Sequence, residues 1–387
     1  MEIKPVIIAI GYNRLDSLGR LLDALENAYY EDEVLLVISI DYGGDDKVTE
    51  LAREFVWTHG EKLVKTYSGN LGLRKHIIQC ADLSMEYGAA IIFEDDIIPS
   101  PYFYKYVKQA VNFYKDDERV FAVSLYSQVW NGYSNRVFVP LKNEYDAFIS
   151  QIECSWGECF IGERWKEFKE WYRQKEENLP YDYNVPHAVY EWENSRSKYL
   201  LYYIVEKGKY YLTPYDSLST NFHSVGVHVS RASSSFQVPL FYGDKEFNFP
   251  QFENALKYDA FFESVDLKSR LEKEHPGCKI CIDYYGLHRD YASYDLCFSS
   301  ADLPYRIVKS YGLELRPPEL NYYYDVKGED LFLYDISVSE KHKRRRQHHY
   351  NMLHYDVKDL QWVDSLFYTL YEWWLKLKKS LWKISCK

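Results

Sequence analysis

The stretch that most constrains the fold is residues 89–99. Ala89, Ala90, Ile91, Ile92 and Phe93 run directly into Glu94, Asp95 and Asp96, and Ile97, Ile98 and Pro99 follow. The apolar run is short and has no polar alternation, which suits a central strand buried on both faces of a helix-covered sheet. Such a strand has no room for charge until it leaves the sheet. The three acids therefore belong at its carboxyl end, the edge where open α/β sheets bind ligands. Adjacent carboxylates repel one another unless a cation or hydrogen-bond donors neutralise them. Hard oxygen ligands suit Mg2+ or Mn2+ shared with substrate phosphates. The competing reading is an acidic turn that caps the following helix.

The chain around this stretch alternates strand and helix. Pro5 to Gly11 is the first apolar run, and Gly11-Tyr12-Asn13-Arg14 follows as a loop. Ser17 is placed to cap the next helix, whose Leu18, Leu21, Leu22 and Leu25 fall at helical spacing. The pattern predicts a strand at 34–40 that ends at Asp41, a helix over 47–55 and a short strand at 63–67. A glycine-containing loop then opens a helix from about Leu73 to Tyr87, with Arg74 and Lys75 in its first turn, where they can face a diphosphate. Further on, a helix is predicted over 102–114, a strand at 120–125, a helix around 164–174, an apolar helix over 199–205 and a strand at 210–213. Residues 150–156 are expected to lead into the acceptor side of a site. A polar loop at 219–228 carries His223 and His228. No GxGxxG motif follows the first strand, and no Walker A loop is present.

From about residue 245 the alternation fades. The reading divides the chain into a nucleotide-binding catalytic domain (1–245), an accessory region (246–340) and a basic, aromatic tail (341–387). The tail holds a basic run at 341–346 and an amphipathic helix over 360–382, with Trp373, Trp374 and Trp382 beside Lys376, Lys378, Lys379 and Lys383. Tryptophans and lysines together suit a membrane surface. The plainer alternative is a helix docked on the protein's own core. A net charge of -11 over 387 residues argues against nucleic acid as a partner, because that role needs a basic face. The seven cysteines are odd in number and scattered, unlike a disulfide framework. Cys278 and Cys281 form one CxxC without a second pair at zinc spacing. With no signal-like start and no long apolar run, the expected location is cytoplasmic, peripheral on the inner face of the cell membrane.

These motifs resemble those of GT-A fold glycosyltransferases, more narrowly the N-acetylglucosaminyltransferase I-like group and its bacterial relatives. The likeness is carried by residues 8–14, by 38–43, and above all by 92–103, where Glu94-Asp95-Asp96 resembles that group's form of the DxD motif. The resemblance spans residues 5–235. It implies a Rossmann-like central sheet flanked by helices, here with a C-terminal appendage and a tail helix. It implies that Arg14 and Asp41 hold the uridine of a UDP-sugar. Asp96 would bind Mn2+ or Mg2+, and Glu94 and Asp95 would contact ribose or sugar or support the metal. His223 or His228 would approach the diphosphate or the acceptor. The base is expected among Glu193, Glu191 and Glu158, in that order.

The expected activity is metal-dependent, inverting transfer of a sugar from a nucleotide-sugar to a glycan or lipid-linked glycan acceptor in bacterial surface polysaccharide synthesis. A carboxylate would take the acceptor proton in a single displacement. Two alternatives are a nucleotidyltransferase and a non-catalytic nucleotide-sugar or glycan-binding scaffold that keeps the fold without the base.

Overall fold

A computed structural model describes residues 2–176, 178–222, 236–342, 346–357 and 361–385. Its centre is a nine-stranded sheet. From one edge the strands run Lys62–Thr66, Leu36–Ile40, Val6–Gly11, Ala89–Glu94, Glu158–Ile161, Val120–Ser124, Tyr210–Pro214, Ala147–Ser150 and Lys257–Tyr258. The first four are mutually parallel. Glu158–Ile161 runs antiparallel between Ala89–Glu94 and Val120–Ser124, and Val120–Ser124 pairs in parallel with Tyr210–Pro214. This is the α/β architecture expected from the sequence, a mostly parallel central sheet with helices on both faces.

Alternation along the strands sorts the side chains between two cores. Ile7, Ala9, Ile91 and Phe93 face the helices Leu15–Glu26, Asp46–Glu54 and Phe103–Phe113. Val6, Ile8, Ala90 and Ile92 face the helices Leu73–Ala81, Gly162–Lys175 and Arg196–Glu206. Both faces of Ala89–Glu94 are therefore apolar until its last residue.

Two local expectations are corrected. Ser17 does not cap the first helix, which starts at Leu15 with Arg14 in the cap position. Ser17 is buried inside the first turn, where its hydroxyl accepts a bond from Arg20 at 3.1 Å. The helix expected to run from Leu73 to Tyr87 stops at Ala81, and a separate short turn of helix, Ser84–Tyr87, follows. Past residue 245 the chain still adds to the main sheet. Phe241, Phe247, Phe249 and Phe252 pack on the main core, and Lys257–Tyr258 forms the sheet's last strand.

The accessory region carries a second sheet in the order Ile280–Asp283, Leu296–Ser299, Leu331–Ser339, Tyr305–Tyr311. Its helix Val265–Glu274 is N-capped by Ser264, whose hydroxyl accepts from Leu267 N. A shared aromatic cluster that includes Phe138, Phe148, Tyr258, Phe262, Tyr284 and Phe298 joins this sheet to the main one. Helix Arg346–Asp356 docks on the second sheet. Arg136 donates to Asp356 at 2.6 Å and to the Tyr284 hydroxyl at 2.7 Å, and Tyr355 donates to Leu315 O at 2.7 Å. The last helix, Trp362–Ser385, presents Trp362, Phe367, Leu370, Trp373 and Trp374 to solvent. No helix among the described residues is long and apolar enough to cross a membrane.

Candidate functional site

The same alternation that builds the two cores splits the acidic triplet. Glu94 continues the Ile92 face, and Asp95 continues the Phe93 face. Asp95 and Asp96 form the turn into a short strand, Ile97–Pro99, which pairs antiparallel with Ser219–Asn221. Phe222 N donates to the Asp96 carbonyl, so the chain enters residues 223–235 from the acid turn. His223 and His228 lie in that segment, outside the described residues.

Arg14 stands over this turn. Its Nε donates to Asp95 Oδ2 at 3.2 Å, its Nη2 donates to Asp95 Oδ1, and its Nη1 donates to Asp96 Oδ2 at 3.0 Å. Burial pushes the Asp95 carboxyl up to about 6, against the pull of Arg14. Glu94 is pushed up to about 7, first by burial and then by the Asp96 charge. Asp41, which the resemblance assigns to the uridine, sits at the end of Leu36–Ile40. Its carboxylate is buried and accepts the backbone N–H groups of Tyr42, Leu71 and Gly72 at 2.8, 2.9 and 3.0 Å. It therefore pins the loop that opens helix Leu73–Ala81.

A cleft of about 590 Å³ lies on the Glu94 side of the sheet. Its lining brings together Arg74, Glu94, Ser155, Trp192, Glu193 and Arg196, with Glu191 also on its wall. Arg74 is held at one side by Glu176 at 3.5 Å and by the Tyr199 hydroxyl at 3.4 Å. Asn194 takes a left-handed backbone conformation (φ 52°), which turns the chain after Glu193. Glu191 is 69% exposed and pairs with His187 at 3.2 Å. A second hollow of about 300 Å³ lies at the end of Leu36–Ile40, lined by Tyr12, Asp41, Tyr42, Gly43 and Thr66 among others.

Glu158, the third candidate base, does not share that exposure. It is 1% exposed, ion-paired with Arg196, and accepts the Tyr211 hydroxyl at 3.3 Å. Arg196 also meets Glu153 at 3.4 Å. Burial pushes the Glu158 carboxyl up, with Arg196 pulling it back. A base must reach the proton that it abstracts, and Glu158 is shut behind Arg196. Sequence reading missed Arg196 and Glu153. The available signal was charge inside apolar elements: Glu158 in the strand ECFI and Arg196 opening an apolar helix both demand a buried partner.

The acid turn leaves one carboxylate, that of Asp96, with which a divalent cation would be held. Among the described residues, no group of three or more His, Cys, Asp or Glu is placed to hold a metal. Asp96 is 21% exposed, and no hydrogen bond among the described residues reaches its Oδ1. A cation there would take most of its ligands from phosphate and water, the habit of Mg2+ at nucleotide sites.

No protein-family model matches the chain, and no curated protein matches it. Solved structures similar to it include a mannosyltransferase, PcManGT from Pyrobaculum calidifontis, in complex with GDP-Man and Mn2+. That likeness has 15% identity and a TM-score of 0.40 and covers 59% of each chain. S. aureus TarS is similar at 13% identity and a TM-score of 0.35, over 56% of this chain and 36% of its own. Its 1–349 form is similar at 13% identity and a TM-score of 0.34, over 55% and 59%. The match thus spans less than two thirds of each of these structures, and likenesses this low carry no weight for function.

The sheet edge gathers a charged turn, an arginine clamp and a polar cleft around the last residue of one buried strand.

Proposed function

We propose that the chain is a metal-dependent, inverting glycosyltransferase that uses a nucleotide-sugar, UDP-linked, and a glycan or lipid-linked glycan acceptor of the bacterial surface. The observation that carries this reading is the convergence of Glu94, Arg74 and Glu193 on one cleft beside the Asp95–Asp96 turn. Asp96 is the residue to hold Mn2+ or Mg2+, which when bound supplies charge neutralisation for the departing diphosphate. Arg74, fixed by Glu176 and Tyr199, is placed to meet phosphate oxygens at the start of its helix. Glu94 faces the cleft as an acceptor or donor toward sugar hydroxyls. Glu193 is exposed on the lining of the same cleft and takes the acceptor proton, whereas Glu191 is engaged by His187. Trp192, between these two acids, offers an indole face and edge for an acceptor ring.

The exposed tail helix supports the lipid-linked acceptor. Trp362, Phe367 and Trp373 on it are mostly exposed, and in the sequence lysines are concentrated in its second half. Each lysine near an anionic leaflet contributes about 1 kcal/mol. Deleting residues 360–387 should release the protein from anionic vesicles in a flotation assay; unchanged flotation removes the membrane part of the reading.

The enzyme reading is tested by product analysis with UDP-sugars and Mn2+, with and without EDTA. Expected products are UDP and a glycoside of inverted anomeric configuration, both lost with EDTA. Pyrophosphate release instead would identify a nucleotidyltransferase. Binding of UDP-sugar without turnover under any acceptor would leave a scaffold.

A further inference from the structure

The turn that the proposed function assigns to a metal already holds a cation of the chain's own. Arg14 ends the loop after the first strand, immediately before helix Leu15–Glu26. Its guanidinium binds both oxygens of Asp95 and one oxygen of Asp96, the last at 3.0 Å. A planar fork of donors matches two neighbouring carboxylates in a way that an ammonium does not. The two acids are left unequal. Asp95 is 6% exposed with both oxygens engaged, whereas Asp96 is 21% exposed and no hydrogen bond among the described residues reaches its Oδ1.

We propose that Arg14 is a positioning residue that competes with the divalent cation for the acid turn. Metal alone then binds weakly, and it binds tightly once a nucleoside diphosphate is present to take over the guanidinium. The inference rests on the metal–nucleotide reading of this turn. A guanidinium in hydrogen-bond contact with Asp96 neutralises the carboxylate before a metal arrives and repels the metal as it approaches. Diphosphate oxygens suit the same fork, so the nucleotide removes the competitor while adding metal ligands of its own. By linkage, the factor by which diphosphate raises metal affinity equals the factor by which metal raises diphosphate affinity. The contact with Asp95 also makes Asp96, rather than its neighbour, the metal ligand.

The test reads Mn2+ binding to the full chain by electron paramagnetic resonance of free Mn2+, with no sugar present, with and without UDP. The proteins are the natural chain, Arg14→Gln, Arg14→Lys and Asp96→Asn. Arg14→Gln should bind Mn2+ alone about 10-fold tighter or more, and the enhancement by UDP should fall toward one. Arg14→Lys keeps the charge without the fork and should lie between. A folded Arg14→Gln with unchanged or weaker affinity for Mn2+ alone overturns the proposal. If that variant does not fold, Arg14→Lys decides by the same criterion. Loss of Mn2+ binding in Asp96→Asn together with unchanged binding in Arg14→Gln sinks the competition while leaving the metal-dependent transferase intact. Wild-type Mn2+ binding in Asp96→Asn overturns both.

Discussion

Two clusters in this protein have the same formal make-up, two carboxylates and one arginine, and different surroundings. In the acid turn, Arg14, Asp95 and Asp96 have side chains 24%, 6% and 21% exposed. Under the cleft, Arg196, Glu158 and Glu153 are 4%, 1% and 6% exposed. The deep cluster has lost its water and must keep its partners, because an uncompensated buried charge is costly. The shallow cluster keeps water within reach of Asp96 and can exchange a partner. Burial, rather than charge type, thus separates a fixed clamp from a site able to take a ligand.

The largest expected effect breaks the deep cluster. Arg196→Met should destabilise the protein by about 3–5 kcal/mol in urea unfolding, because Glu158 and Glu153 remain buried without a counter-ion. Adding Glu158→Leu should recover much of that loss. If the single variant is as stable as the natural chain, the two clusters are not different in kind.

The next effect belongs to the shallow cluster. Asp96→Asn should lower kcat/KM for sugar transfer by about 100-fold or more, while its stability changes by less than about 1 kcal/mol, as for a partly exposed ion pair. A large drop in melting temperature would show that Asp96 is structural.

A third prediction sharpens the contrast between buried and exposed polar groups. His76 is 2% exposed, bonded to Ser39 Oγ at 2.8 Å, and burial lowers its pKa from 6.5 to about 4. The folded form therefore resists protonation that the unfolded chain accepts. Its contribution is fully present above pH 6.5 and is lost as pH falls through 4, a span worth about 3 kcal/mol. His76→Gln should flatten the stability profile between those pH values. An unchanged profile would show that His76 protonates freely in the fold.

The sheet was legible in the sequence because its signals are local. Ile7 to Ile10 and Ile91 to Phe93 are continuous apolar runs, Leu36 to Ile40 is one broken only by Ser39, and the structure makes each a buried strand. The errors came where a local signal met a stronger neighbour. Ser17 looked like a cap, but the helix begins two residues earlier and Ser17 falls on its buried face. The long helix after Gly72 breaks after Ala81, where Asp82 accepts bonds from Trp165 and Lys169 of another helix. The shift in composition at 245 did not reveal that Tyr258 completes the main sheet.

The sequence by itself determined that Glu94, Asp95 and Asp96 stand at the carboxyl end of a buried strand. A charged triplet cannot stay inside a sheet covered on both faces. Only the tertiary structure decided which side each acid takes a partner from. It placed Arg14, 81 residues away, on Asp95, and it placed Arg196, 38 residues from Glu158, beneath the cleft. It also separated Glu193, on the open lining, from Glu158, sealed behind a guanidinium. Long-range ion pairs leave no period in a sequence. Their partners are set by the packing of helices on the sheet.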